Sequence, residues 1–473
     1  MFVGAGVVVA VVLGAGASPA RAQDEGELVL MNEPTSFTDV VDAFDDHDPF
    51  DVNITIGYLR TWELGRVQRE NPVGGDDRMT RDWIDVADYS REVNQLMLGL
   101  DVGIFRDLAI YAHLPIILSD DRSLSWIGNN NPEEVLRDRA TGTALFQVPS
   151  GGGFRSPTRS GVDWLAVGAA WAILNQHRDR NVPTWVIMLE GRFNLGEPMH
   201  ACNEQQLMDP VTGERGRSCL TGTRDDATNA LIRGSEPGVG RGVNALRVET
   251  RGSFRYEYME PYAGLAFQME WPGSGDSFFV PGGNLAGYIN ELPPIQGRLT
   301  VGTAIMPWED REHYQRFAID LRFTADYFSE GHDYSPLFDA LGSSQNPYLT
   351  QPVLNGQPGD DGDTSGLREV SFYGLTDTQS RVRLGGTLIL ELQAARYVRF
   401  NVQTTVMHTP SYVITQADAC NPNVTSDDER LQGTCRRGII NPHHRTAIDL
   451  PGQRFRMESI TQIDVGAYVT AQF

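Results

Sequence analysis

The chain ends on the fourteen residues "ITQIDVGAYVTAQF", which alternate in polarity from Gln462 onward. Ile463, Val465, Ala467, Val469, Ala471 and Phe473 fall on one side, and Gln462, Asp464, Gly466, Tyr468, Thr470 and Gln472 on the other. A period of two belongs to a β-strand with one face in an apolar medium and the other in water or among polar groups. The pattern recurs where Val382, Leu384, Leu388, Leu390 and Leu392 alternate with Arg381, Arg383, Thr387, Glu391 and Gln393. It recurs again where Phe317, Ile319, Leu321, Phe323 and Tyr327 alternate with Arg316, Asp320, Arg322, Thr324 and Asp326. A chain built from such segments satisfies both faces as a barrel with lipid outside and water or polar groups inside. A soluble sandwich would show the same alternation.

The spacing predicts about twelve strands, near 52–66, 91–105, 108–122, 161–175, 184–196, 244–258, 261–271, 295–307, 316–328, 381–395, 398–414 and 455–473. Their connections alternate in length. Short ones fall at 106–107, 177–183, 259–260, 308–314 and 396–397, and long ones at 67–90, 123–160, 197–243, 272–294, 329–380 and 415–454. A sandwich has no reason to segregate loop lengths in this way. An outer-membrane barrel has short periplasmic turns and long extracellular loops, and an even strand number returns both termini to the periplasm. The fold class expected is therefore all-β, a single antiparallel transmembrane β-barrel over 52–473. The long loops carry Gly, Pro, Asn and Asp, as in "NGQPGDDGDTSG", which suits solvent exposure.

Residues 1–22 read as a secretory signal. The apolar stretch from Phe2 to about Ala17 falls short of the roughly 20 residues that span a bilayer, and Ala20-Arg21-Ala22 is a small-x-small cleavage pattern before Gln23. The basic n-region of such signals is missing, and no Cys follows to make a lipoprotein. Residues 23–51 form a leading segment, periplasmic or plugging the lumen. Within it Phe37, Val40, Val41 and Phe44 have helical spacing after a Thr35 or Ser36 cap. Its acidic run Asp45, Asp46, His47, Asp48 lacks the frame of a calcium loop and reads as a solvated linker. Cys202 and Cys219 share one polar stretch and Cys420 and Cys435 another, so two loop disulfides are expected; a four-cysteine zinc site would lack CxxC spacing and join distant loops.

With the polar face inward, the lumen receives Arg247, Arg251, Arg255, Arg298, Arg316, Arg322, Arg381, Arg383, Arg399 and Arg456, together with Asp101, Glu190, Glu249, Glu257, Glu270, Asp320, Asp326, Glu391, Glu458 and Asp464. The signs nearly balance, so cross-strand pairs account for most of them as a brace on the wall. The functional alternative is a basic strip along a water-filled pore. Gly57, Gly99, Gly103, Gly264, Gly302, Gly385 and Gly466 also face inward and are read as leaving space. Trp62, Trp185, Trp271, Tyr327 and Phe473 face outward near strand ends, where an aromatic girdle sits.

No coherent catalytic constellation appears. There is no GxSxG, HExxH or Gly-rich phosphate loop, and outward His408 has Ser411 on the opposite parity. His443 and His444 fall in a loop and are read as solvated. No cofactor and no metal are expected. A net charge of −23 argues against nucleic acid as a partner, while acidic loops at a lipopolysaccharide surface can share divalent cations with lipid phosphates.

The terminal Phe473, preceded by outward apolar residues at every second position, resembles the carboxy-terminal assembly signal of bacterial outer-membrane β-barrels, which implies recognition by the barrel-assembly machinery. The hairpin containing Gly103-Ile104-Phe105-Arg106-Asp107-Leu108 and Leu114-Pro115-Ile116-Ile117 is similar to one repeated in outer-membrane barrels of the phenol-degradation meta-pathway family. That resemblance spans about thirty residues and implies an outer-membrane location in a Gram-negative bacterium and a channel for small, aromatic or hydrophobic compounds; it carries over no binding residues. The expected function is a passive channel or uptake barrel for small solutes. A structural or surface-interaction barrel is the alternative, and a membrane-embedded hydrolase the third reading.

Overall fold

The computed structural model describes residues 34–43, 51–73, 80–127, 136–146, 153–202, 219–224, 231–234, 237–273, 279, 290, 292–310, 312–344, 346–355, 368–395, 397–422, 424–436 and 438–473. The expected signal at 1–22 and the acidic run from Asp45 lie outside them. The main sheet has fifteen strands; three are short (Gly153–Arg155, Arg159–Val162, Tyr412–Val413) and the other twelve close into a barrel. In chain order these are β1 (Val52–Val73), β2 (Thr80–Phe105), β3 (Leu108–Trp126), β4 (Trp164–Leu174), β5 (Thr184–Asn194), β6 (Val243–Ser253), β7 (Met259–Pro272), β8 (Gln296–Asp310), β9 (Gln315–Phe328), β10 (Arg381–Ala395), β11 (Val398–Thr409) and β12 (Phe455–Gln472). Each pairs antiparallel with its sequence neighbours. All twelve expected strands are present.

The terminal alternation matters because β12 closes the barrel. It pairs with β1 from Asn53↔Gln472 to Arg69↔Phe455, and the backbones of Val52 and Phe473 exchange hydrogen bonds of 3.0 and 2.9 Å. Lipid offers no partner to an open edge, so only a closed sheet can span the hydrocarbon. Outward positions such as Ile56, Leu100, Val167, Leu189, Leu265, Phe323 and Val402 are exposed and apolar, as a lipid-facing band requires. Trp185, Trp271, Tyr327 and Phe473 are exposed near strand ends. Trp62 is half-buried, with the Arg60 guanidinium 4.8 Å from its ring centroid. This is the architecture of an outer-membrane β-barrel.

Inside, the seven glycines do not leave open space. Cross-strand neighbours fill the notches: Tyr468 opposite Gly57, Tyr262 opposite Gly302, His113 opposite Gly99 and Met407 opposite Gly385. A Cβ at Gly57 would lie 2.0 Å from the Tyr468 ring, and one at Gly466 would lie 2.9 Å from it on the other side. An eighth, Gly168, receives Tyr111 in the same way. A residue without a side chain beside a large ring keeps inward volume constant around the wall, and sequence parity alone cannot see the ring lean.

The described parts of the long connections form a packed cap, while most of the stretch "NGQPGDDGDTSG" lies outside the described residues. The expected loop at 67–90 is mostly strand: β1 and β2 continue beyond the barrel, and only 74–79 separates them. Val67, Val86 and Tyr89 on this extension pack with Leu124, Phe154, Leu337, Phe372, Ile414, Ile448 and Phe455 in one core. The consecutive residues Val67, Gln68, Arg69 and Glu70 are all buried, so the alternation that marks a lipid-facing strand is lost there. Burying each such side chain is worth about 1.5–3 kcal/mol. Arg159 and Asp339, both buried, join the β3–β4 and β9–β10 connections through hydrogen bonds of 3.2 and 2.6 Å. Removing one partner of such a pair costs about 3–5 kcal/mol. Within the β11–β12 connection Cys420 and Cys435 form a disulfide, Cα atoms 5.5 Å apart. Cys202 is also disulfide-bonded, and the side chain of Cys219, its expected partner, lies outside the described residues.

The glycine notches give a direct test. Gly57→Val is expected to cost about 1–3 kcal/mol in reversible urea unfolding from lipid vesicles, and to cost far less when Tyr468→Ala is already present. Additive effects in that cycle would show that the two residues do not share one niche.

Candidate functional site

The helix expected from Thr35 to Phe44 forms a single turn at 36–38, in which the amides of Thr38 and Asp39 donate to Thr35 O at 3.0 and 3.1 Å. The remainder, to Ala43, runs without regular structure through the periplasmic half of the lumen. Its apolar residues are drawn to different walls, which overrides their helical spacing. Phe37 stacks on Tyr262 of β7 with ring centroids 4.2 Å apart. Val40 packs on the cluster of Tyr111, Ala170, Ala172 and Val186 from β3, β4 and β5.

Polar contacts tie the same segment around the wall. The Thr35 amide donates to Glu260 Oε2 at 3.0 Å, and Thr38 Oγ1 lies 2.8 Å from Ser253 Oγ. Arg399 of β11 donates to Asp39 at 3.2 Å, and Arg178 of the β4–β5 turn to Asp42 at 3.2 Å. A Cβ at Gly103 would meet Asp42 O at 1.6 Å and one at Gly264 would meet Phe37 at 2.8 Å. These two glycines make room for the segment, which is why wall parity alone found no filler for them. Among the described residues, 34–43 contributes no strand to the sheet. Side chains and single hydrogen bonds hold it against the wall.

Most of the residues expected in the lumen take part in self-satisfied networks, while Glu257 stands exposed on the β6–β7 turn. Glu249 accepts from Arg247 at 2.6 Å and from Arg251 at 2.7 Å. Glu190 accepts from Arg192 at 2.6 Å and from Tyr111 at 3.2 Å. Asp326 accepts from Arg298 and Arg383 at 2.6 and 2.7 Å, Glu391 from Arg316 at 2.9 Å, and Asp320 from Arg322 at 2.9 Å and from the Tyr262 hydroxyl. Asp101 lies 3.6 Å from His113 Nε2, and Asp464 accepts from Thr61 at 2.7 Å. Arg381 sits 4.6 and 4.8 Å from the ring centroids of Phe328 and Tyr412 and donates to Thr378. Arg255 is a correction. β6 ends at Ser253, so Arg255 stands on the β6–β7 turn at the periplasmic mouth, 3.8 Å from Glu309.

What the strand pattern missed was the occupant. The leading segment was expected to be periplasmic or to plug the lumen, and strand parity could not show the wall residues it meets: Phe37 reaches Tyr262, Asp39 reaches Arg399 and Asp42 reaches Arg178. The histidines of the cap are a second correction. His443 is buried, not solvated, its ring centroid 4.2 Å from that of His332, whose Nδ1 lies 2.6 Å from Asp377. Burial pushes His332 down to about 4 and His443 down to about 3, and pushes the Asp377 carboxyl up to about 6. Both histidines are thus neutral at neutral pH, and burial makes the Asp377 carboxylate harder to form. No group of three or more metal-ligating side chains occurs among the described residues, nor any hydrogen bond between His408 and Ser411.

No family model and no curated protein matches the sequence. Among solved structures, an outer-membrane channel from Pseudomonas putida F1 aligns at 8% identity, covering 93% of this chain and 99% of that one, with a TM-score of 0.36. A Pseudomonas aeruginosa FadL homologue aligns at 9% identity over 94% and 93%, with a TM-score of 0.33. The outer-membrane protease OmpT from Escherichia coli aligns at 8% identity over 90% and 96%, with a TM-score of 0.28. None of these alignments transfers the matched protein's activity to this chain.

The contacts of residues 34–43 with the wall predict a cross-link. With Thr38→Cys and Ser253→Cys, oxidation is expected to join the leading segment to β6, seen as one linked peptide in non-reducing mass mapping. Failure to link under oxidant, with both thiols still titratable, would place the segment elsewhere.

Proposed function

We propose that the protein is an outer-membrane channel for small solutes, with the barrel lumen as its pathway, closed by residues 34–43. The observation that supports this reading is the occupant itself: the lumen holds ten residues of chain in addition to the side chains of its wall. A barrel whose only task is to fill itself has no need of that room. The plug's ion pairs and hydrogen bonds are of the kind that water and solute ions can replace, and it belongs to no strand. The Arg-rich wall over β6 and β8–β10 then lines the route, with Arg383, Arg298 and Arg247 as the side chains a passing anion meets.

A structural barrel is the second reading, favoured by the filled glycine notches and the packed cap. Either reading has the same membrane partners: the exposed Phe473 at the end of β12 suits recognition by the assembly machinery, and the acidic loops suit a cation-rich lipopolysaccharide surface. Neither reading assigns a reaction.

Planar-bilayer recordings separate the two. The mature protein is expected to show small or rare conductance steps, and deletion of residues 23–43 to raise both size and frequency. In the deleted protein, Arg383→Glu is expected to shift the reversal potential toward cation selectivity. Absence of conductance and of liposome solute flux in the deleted protein would transfer the assignment to the structural barrel.

A further inference from the structure

The contacts of Phe37 are those of a bound ligand. One face of its ring lies on Tyr262 at an interplanar angle of 26°, and two guanidinium groups, Arg251 and Arg322, stand 4.9 and 5.0 Å from its centroid. Its backbone carbonyl accepts from Arg251 Nη1 at 2.9 Å. Gly264 provides the floor, where any Cβ would strike the ring tip at 2.8 Å. The seat is preorganised from the wall side: Arg251 Nε donates to Glu249 at 2.7 Å, and Arg322 donates to Asp320 at 2.9 Å and to the Tyr262 hydroxyl at 3.1 Å. All these groups belong to β6, β7 and β9, so the seat does not depend on the plug.

The atoms of Phe37 that the seat reads are an aromatic ring, two saturated carbons and a carbonyl oxygen. Removing the peptide nitrogen from that fragment leaves a 3-arylpropionate. Its carboxylate would replace a neutral carbonyl at Arg251, and charge-assisted hydrogen bonds to a guanidinium are about twice as strong as neutral ones. Its ring would keep the stack on Tyr262 and the two cation–π contacts. We infer that the Arg251–Tyr262–Arg322 seat is a binding site for 3-arylpropionate-type aromatic carboxylates, which Phe37 occupies as a tethered competitor and which such a ligand vacates on binding. The inference rests on the lumen being a solute pathway, and names the class of solute.

Two features of the seat set its selectivity. A saturated ring fills the same volume without a π face, so 3-cyclohexylpropionate loses the stack and both cation–π contacts, about tenfold in affinity. An uncharged 3-arylpropionamide keeps the ring contacts and loses the charge at Arg251. A benzoate places its carboxylate two carbons nearer the ring and cannot reach both the stack and Arg251 Nη1.

The experiment is calorimetric titration of the full-length mature protein in detergent with 3-phenylpropionate, 3-cyclohexylpropionate and 3-phenylpropionamide. Wild type is expected to bind 3-phenylpropionate weakly, because the tethered Phe37 competes. Phe37→Ala is expected to bind it at least about tenfold more tightly than wild type does, and about tenfold more tightly than it binds the cyclohexyl analogue. Adding Arg322→Lys, which keeps the charge beside Asp320 but not the planar face, is expected to remove most of that gain. Phe37→Leu, which retains an apolar plug residue, serves in the same way if Phe37→Ala fails to give the heat-modifiable folded band. Equal affinity for the phenyl and cyclohexyl acids, or no binding to either Phe37 variant, overturns the inference. Because binding is read without flux, binding with no conductance would overturn the channel alone, and conductance without binding would overturn the seat alone.

Discussion

Every backbone amide and carbonyl that faces hydrocarbon must find its partner within the protein, and the β1–β12 seam is where this chain meets that demand. The seam joins residues 386 to 419 positions apart, from Asn53↔Gln472 (472 − 53) to Arg69↔Phe455 (455 − 69). Without it both strands are open edges in lipid. With it, outward apolar residues and inward polar residues separate onto two surfaces all the way round, and everything else in the molecule is arranged inside that cylinder or on top of it.

A cylinder of twelve strands encloses more volume than its charged wall residues can fill alone, and three devices take up the excess. Tyrosines lean into glycine notches on neighbouring strands, as Tyr468 does at Gly57 and Tyr262 at Gly302. Arginines and carboxylates pair across and along strands, which removes the cost of burying either alone. The leading segment takes the periplasmic half, seated by Gly103 and Gly264. The first two devices are built into the wall. The third is held by side-chain contacts and single hydrogen bonds and belongs to no strand among the described residues.

The cap solves a different problem. Long connections placed on one rim would otherwise expose Phe154, Phe372, Ile414 and Phe455, and they instead share a core with the extended β1–β2 hairpin. The buried Arg159–Asp339 pair ties two of these connections together, and the Cys420–Cys435 bridge closes a loop within a third. The buried His332, His443 and Asp377 show how dry its interior is: burial disfavours the charged form of each.

The sequence by itself determined the barrel, because period-two polarity and the alternation of short and long connections are local and each strand records which of its faces meets lipid. All twelve strands and their order were legible in that way, and the Cys420–Cys435 pairing from the two cysteines sharing one connection. What fills the lumen was decided only in three dimensions. Whether Gly57 is an opening or a socket depends on the rotamer of Tyr468, more than four hundred residues away. Whether Phe37 starts a helix or lies on Tyr262 depends on which competing contacts the closed wall offers. The cap was illegible for a related reason. Residues such as Val67, Val86 and His443 are covered on all sides by distant loops, so neither alternation nor loop composition marks them as buried. Periodicity reports a boundary between two media, and where tertiary packing removes the boundary the signal goes with it.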